Sequence, residues 1–128
     1  MNSNNFELIG KVNFIDMKAL EKGGFIVKAL LGVYLGKDKD GNSVYDSFEV
    51  TTFNDTAESF GNNVKKGDYV YVAGRMTINK YTNKDGKEVK NIQLIGNAYT
   101  LVEYDKDARD YVAKGDAAAV QTELPWKK

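Results

Sequence analysis

Tyr69-Val70-Tyr71-Val72-Ala73-Gly74-Arg75-Met76-Thr77-Ile78-Asn79-Lys80-Tyr81 follows Lys65-Lys66-Gly67-Asp68 and leads into a polar tip, Thr82-Asn83-Lys84-Asp85-Gly86-Lys87. A second apolar run then returns through Val89, Ile92, Leu94 and Ile95. Apolar residues at alternate positions define a strand with one face in a core. Val70, Val72, Met76 and Ile78 are expected on that face, with Gly74 among them. Tyr69, Tyr71, Arg75, Asn79 and Tyr81 fall on the other. Asp85-Gly86 suits a turn with positive φ, so the two runs fold back as a long antiparallel hairpin. Its outer face carries aromatic rings and cations together, a combination suited to stacking bases and following phosphates.

Working outward, Phe6, Leu8, Val12 and Phe14 alternate, which predicts a first strand over residues 6–15 with Gly10 at a bend. Asp16 to Gly24 reads as a loop. Phe25 to Leu35 is a second strand whose apolar residues crowd, as in a strand covered on both sides. The charged segment from Gly36 to Asn42 is a turn. Asp38, Asp40 and Asn42 alternate as calcium ligands do, but Ser43 stands where a calcium loop needs glycine, and no helix flanks the segment. Val44 to Phe53 is a third strand, with Phe48, Val50 and Thr52 on one face and Ser47, Glu49, Thr51 and Phe53 on the other. Asn54-Asp55 offers a helix cap, and Thr56 to Asn63 a short helix carrying Ala57 and Phe60. Five strands with one short helix between the third and fourth is the order of the all-β OB-fold, a partly open Greek-key barrel.

The 128 residues fit one domain with a single core. With neither Cys nor His, disulfides, thiolate metal sites and the commonest general base are excluded. The carboxylates Asp46, Glu49, Asp55 and Glu58 match no catalytic spacing, so no enzyme, no catalytic residue, no metal and no cofactor is expected. No apolar run reaches the ~20 residues of a membrane span, and Met1-Asn2-Ser3-Asn4-Asn5 does not read as a signal peptide. The expectation is a cytoplasmic protein. Eighteen basic residues balance eighteen acidic ones, so attraction for an anion must be local. From Lys65 to Lys90 seven basic residues face three acidic ones, a patch suited to an anionic ligand.

Several segments resemble the bacterial and phage single-stranded DNA-binding protein family: Leu8-Ile9-Gly10-Lys11-Val12, Phe53-Asn54-Asp55-Thr56-Ala57-Glu58, Lys66-Gly67-Asp68-Tyr69-Val70-Tyr71-Val72-Ala73-Gly74-Arg75, and Lys80-Tyr81-Thr82-Asn83-Lys84-Asp85-Gly86. They run in family order across residues 6–101. The resemblance implies a domain over residues 1–103 that coats single-stranded DNA without sequence preference in replication, recombination or repair. By position, Phe53 and Tyr81 match base-stacking aromatics and Lys80 a phosphate contact. The family also places Trp on the binding face of strands two and three, where this chain has Leu35 and Ser47; Tyr34 offers a ring nearby. Backbone contacts then fall to Lys65, Arg75, Lys80, Lys84, Lys87 and Lys90. Tyr69 and Tyr71 are expected at a subunit interface or the barrel rim. A homo-oligomer, tetramer or dimer, is implied by the resemblance alone.

After Glu103 large apolar residues thin out, and residues 104–128 read as a flexible tail, with helical tendency around Ala108 to Ala113. The tail ends in Leu124-Pro125-Trp126-Lys127-Lys128. An apolar motif closing a polar tail is suited to a partner's groove; the tail resembles the family's in design, and that resemblance implies replication or recombination proteins as partners. An alternative use of the same barrel face is binding of RNA or assembly with another protein.

Overall fold

The computed structural model describes residues 3–114. Strands β1 (Phe6–Ala19), β2 (Phe25–Lys37) and β3 (Ser43–Phe53) are followed by helix α1 (Asn54–Asn63) and strands β4 (Tyr69–Thr82), β5 (Glu88–Asp105) and β6 (Asp110–Ala113). The sheet order is β3-β2-β1-β4-β5-β6, and β3 also pairs with β5 in parallel, Val50 opposite Leu94 and Thr51 opposite Ile95. That pairing closes β1 to β5 into a five-stranded barrel with the short helix between β3 and β4, as the element order predicts.

The core is built from one face of each strand. Val12, Val27, Ala29, Leu31, Val50, Val70, Val72 and Leu101 fill it, and α1 caps one end with Ala57, Phe60 and the following Val64. Phe60 meets Tyr99 edge to face with ring centroids 5.1 Å apart. The Tyr99 hydroxyl is 2.6 Å from Ser59 Oγ and accepts from Asn63 Nδ2 at 3.2 Å, so its polar end is satisfied where the helix packs. The N-cap of α1 is Phe53 rather than Asn54 or Asp55, and no side chain caps the helix. Asn54 instead has φ of 56° and turns its amide towards the Cα of Gly24 in the β1–β2 turn.

Two departures from simple alternation shape the molecule. In β1 the register with β2 slips between Val12 and Phe14, leaving Asn13 as a bulge. The Asn13 amide lies over Gly32, where any Cβ would collide with it. Past the bulge, Ile15 and Met17 face the core and Phe14 does not: Phe14 is 53% exposed, against the core position that its spacing predicts. The strand also runs to Ala19, through residues expected to be loop. In the β4–β5 pair the register slips between Ala73 and Gly74. There a Cβ on Gly74 would fall onto the Ile95 carbonyl, so only glycine lets the two backbones meet.

Beyond that slip the hairpin leaves the barrel as an arm. Met76 and Ile78 keep the parity of Val70 and Val72 yet are exposed, contrary to their expected burial. Tyr71 is the reverse. It lies on the outer parity as expected, but β6 packs over it, and with Val102, Ile9, Ala73, Tyr111 and Ala113 it forms a second apolar cluster at 1% exposure. The segment around Ala108 to Ala113, read as helical, is thus a turn and a strand, and the hydrogen-bonded sheet continues past Glu103. Leu124, Pro125 and Trp126 lie outside the described residues.

Three turns repeat one device. Asp38 Oδ1 accepts from the backbone N–H of Asp40 and Asn42, and Asn83 Oδ1 from those of Asp85 and Lys87. Asp105 Oδ1 accepts from Asp107 and Ala108. The first two sequences, Asp-Lys-Asp-Gly-Asn and Asn-Lys-Asp-Gly-Lys, place Gly41 and Gly86 at φ of 84° and 77°. The apparent calcium spacing at Asp38 is therefore that of a side chain closing its own turn.

Candidate nucleic-acid interface

The outward parity of β2 and β3 is a ladder of cross-strand pairs: Ile26 with Phe53, Lys28 with Thr51, Leu30 with Glu49, Gly32 with Ser47, and Tyr34 with Tyr45, of which Thr51 is fully buried. Phe53 ends β3 and is 38% exposed. At the other end the Tyr34 and Tyr45 rings lie 5.6 Å apart at 59°. This pair supplies aromatic surface beside the exposed Leu35 and Ser47. Tyr45, 62% exposed, was not singled out from the sequence, although it shares the parity of Phe53.

The second wall is the arm. Arg75, Thr77, Asn79 and Tyr81 share one face, opposite Ile95, Gln93, Asn91 and Val89. Tyr81 is exposed there, with Arg75 at the arm's root. Lys80 points to the other face, directly across from Lys90. Like charges opposite each other in a sheet repel, and an anion placed between them removes that cost. Lys84 and Lys87 lie in the tip turn, so four lysines crowd the last part of the arm. Lys65 is not brought to them. It follows α1 at the far end of β4, with about 43 Å of strand between it and the arm's end.

Where the arm leaves the barrel, a cleft of about 700 Å³ opens between the walls. Its lining includes the apolar Phe6, Leu8 and Phe48, the charged Lys28 and Glu49, and the amides of Asn79, Asn91 and Gln93. Apolar surface, amide groups and a flanking lysine in one open groove fit a flat ring with a polar edge and a charged backbone. A further hollow of about 450 Å³ lies among Tyr34, Tyr45, Tyr69, Tyr111 and Lys11, over Gly10 and Gly32. Tyr104 and Tyr111 meet edge to face at 5.4 Å. Among the described residues no cluster of acidic side chains is placed to hold a metal ion.

A family model described as the single-strand binding protein family matches residues 3–102. A single-stranded DNA-binding protein of Xanthomonas axonopodis pv. citri (strain 306) is 32% identical over 99 residues, covering 74% of this chain and 55% of that protein. One from Xanthomonas campestris pv. campestris is 31% identical over 99 residues, covering 74% of this chain and 58% of the relative. The chain spans little more than half the length of these relatives. Among solved structures, a deletion mutant of the single-stranded DNA binding protein from Thermus aquaticus aligns with a TM-score of 0.66. The match covers 86% of this chain and 54% of that one at 22% identity, a likeness of fold.

Proposed function

The chain belongs to the single-strand binding protein family, and from that premise we propose that it binds single-stranded DNA without sequence preference, in the service of replication, recombination or repair. The observation that carries this reading is the outer face of β2 and β3, where Phe53 and the Tyr34–Tyr45 pair stand exposed on a rigid ladder with Lys28 between them. Every base has a π-face, so such rings bind any sequence, each stack contributing roughly 1–3 kcal/mol. Tyr81 and Arg75 extend the surface along the arm. Lys80, Lys84, Lys87 and Lys90 neutralise phosphates, releasing counterions from the strand. No group on this face needs to react; binding and covering the strand is the whole of the chemistry.

A homo-oligomer fits the same reading. Tyr69 and Tyr104 expose rings beside the half-buried Tyr111 on the β4–β5–β6 surface, and a second copy packing there would border the Tyr34–Tyr45 end of the ladder and leave the Phe53 end open.

The test is titration of a dT oligomer against intrinsic fluorescence at low and high salt, for wild type and Phe53→Ala. The expected result is quenching, an affinity that falls steeply with salt, and a loss of about 1–3 kcal/mol in the variant. Absence of binding at low salt, or an affinity indifferent to salt, would overturn the proposal.

A further inference from the structure

The bulge at Asn13 turns a phenylalanine outward next to the ladder. Phe14 stands directly across from Leu30, which in turn stands across from Glu49, so the outer face is three strands wide at this level. Phe14 and Leu30 are both exposed, and neither belongs to the apolar core. One level along are Asp16, Lys28 and the fully buried Thr51, so at that level the surface is that of β1 and β2; the next holds Lys18, Ile26 and Phe53. From strand rise and spacing, the Cα atoms of Phe14 and Phe53 lie about 16 Å apart on this one surface. A few extended nucleotides reach that far.

Past the bulge Ile15 and Met17 are the β1 side chains that pack against the core, so the Phe14 ring is left on the surface beside the exposed Leu30. We infer that Phe14 is a further base-stacking residue for single-stranded DNA, extending the platform of Phe53 and Leu30 across β1. This rests on the proposed DNA-binding reading and adds a residue and a path to it: the strand crosses β3 and β2 and ends on β1. Lys28 supplies a cation along the way, whereas Asp16 and Glu49 share the face and Lys18 is engaged with Asp16 at 3.8 Å. Phe14 therefore contributes through its ring and not through attraction of phosphate.

The experiment compares wild type, Phe14→Ala, Phe14→Leu and Phe53→Ala, each as full chain, by anisotropy of labelled dT oligomers of about 5 and about 15 nucleotides at several salt concentrations. Light scattering follows the mass of each, and thermal melts follow its folding. Expected for both Phe14 variants is binding of the longer oligomer weakened about 5- to 150-fold, the range of one base–aromatic stack. The dependence of log affinity on log salt, the mass and the melt should all match wild type, and the short oligomer should lose less. Three outcomes overturn the inference: unchanged binding in Phe14→Ala, wild-type binding restored by Phe14→Leu, or an altered mass, which would make Phe14 a contact between copies. If Phe53→Ala weakens binding and Phe14→Ala does not, the DNA-binding reading survives without Phe14. If wild type fails to bind either oligomer, both fall.

Discussion

The two halves of the β4–β5 hairpin share one apolar alternation along β4 and meet opposite fates. In the barrel half Val70 and Val72 pair with Leu101 and Tyr99 and are sealed in the core. In the arm Met76 and Ile78 pair with Leu94 and Ile92 on the same parity, yet Ile92 is 68% exposed. In β4 the alternation runs on unbroken, while in β5 the apolar parity switches across the register slip, from Leu101 and Tyr99 to Leu94 and Ile92. The difference lies in what faces the strand: β1, β2 and α1 cover the first half, and only the open cleft faces the second. Alternation thus reports which side chains share a side, while burial depends on whether the topology supplies a cover. The arm keeps its apolar stripe and gathers lysines at its end, as a surface that meets a ligand does.

The comparison breaks most visibly by truncating one side chain in each half. Leu101→Ala should lower unfolding stability by about 2–5 kcal/mol, since it leaves a hole in a covered core. Ile92→Ala should stay within about 0.5 kcal/mol of wild type. Equal urea midpoints for the two variants would mean that the arm is packed as the barrel is. The junction comes next. Gly74→Ala forces a methyl group against the Ile95 carbonyl and should cost about 1–3 kcal/mol or more by displacing the arm from its root. Retention of wild-type stability and DNA affinity would show that the close approach at Gly74 is dispensable.

A third substitution sharpens the contrast by function. Tyr81→Ala should leave the urea midpoint unchanged, because the ring is exposed, and under the proposed DNA-binding role should weaken dT binding by about 1–3 kcal/mol. The smallest effect is at alkaline pH. Burial first, and then the neighbouring Glu7 carboxylate, raises the Tyr71 phenol from 10.0 to about 12. The folded chain keeps this proton where the unfolded chain has lost it. Stability is therefore full below about pH 10 and falls as pH rises towards 12. In Tyr71→Phe that fall should be shallower, and identical alkaline profiles would exclude Tyr71 as its source.

Much of this was legible in the sequence because the decisive signals are local. The position of α1 between β3 and β4 and the Asp85-Gly86 turn follow from spacing and turn chemistry; the faces of β3 do so except at Thr51, which shares the parity of Phe53 and is buried. Phe53 and Tyr81 stand exposed where motif and parity place them. Phe14 was misread because one inserted residue flips every side chain after it; the sign was the switch of apolar parity from Val12 to Ile15 and Met17. Tyr71 was misread because its cover, β6, comes from a polar segment with too few apolar residues to announce a strand. The joining of Lys65 to the arm's lysines failed for another reason. A cluster in sequence spreads over tens of ångströms once it is drawn out along a strand.

The measurement that bears most directly on the ladder and arm as one DNA surface is hydrogen–deuterium exchange by mass spectrometry, with and without saturating dT oligomer. Backbone protection is expected to rise in peptides covering residues 26–34, 45–53 and 75–90, with α1 and the loop at Lys65 unchanged. Protection confined to β6 and the outer tyrosines, with the β2–β3 ladder and the arm unaltered, would contradict it and move the DNA to the β4–β5–β6 surface.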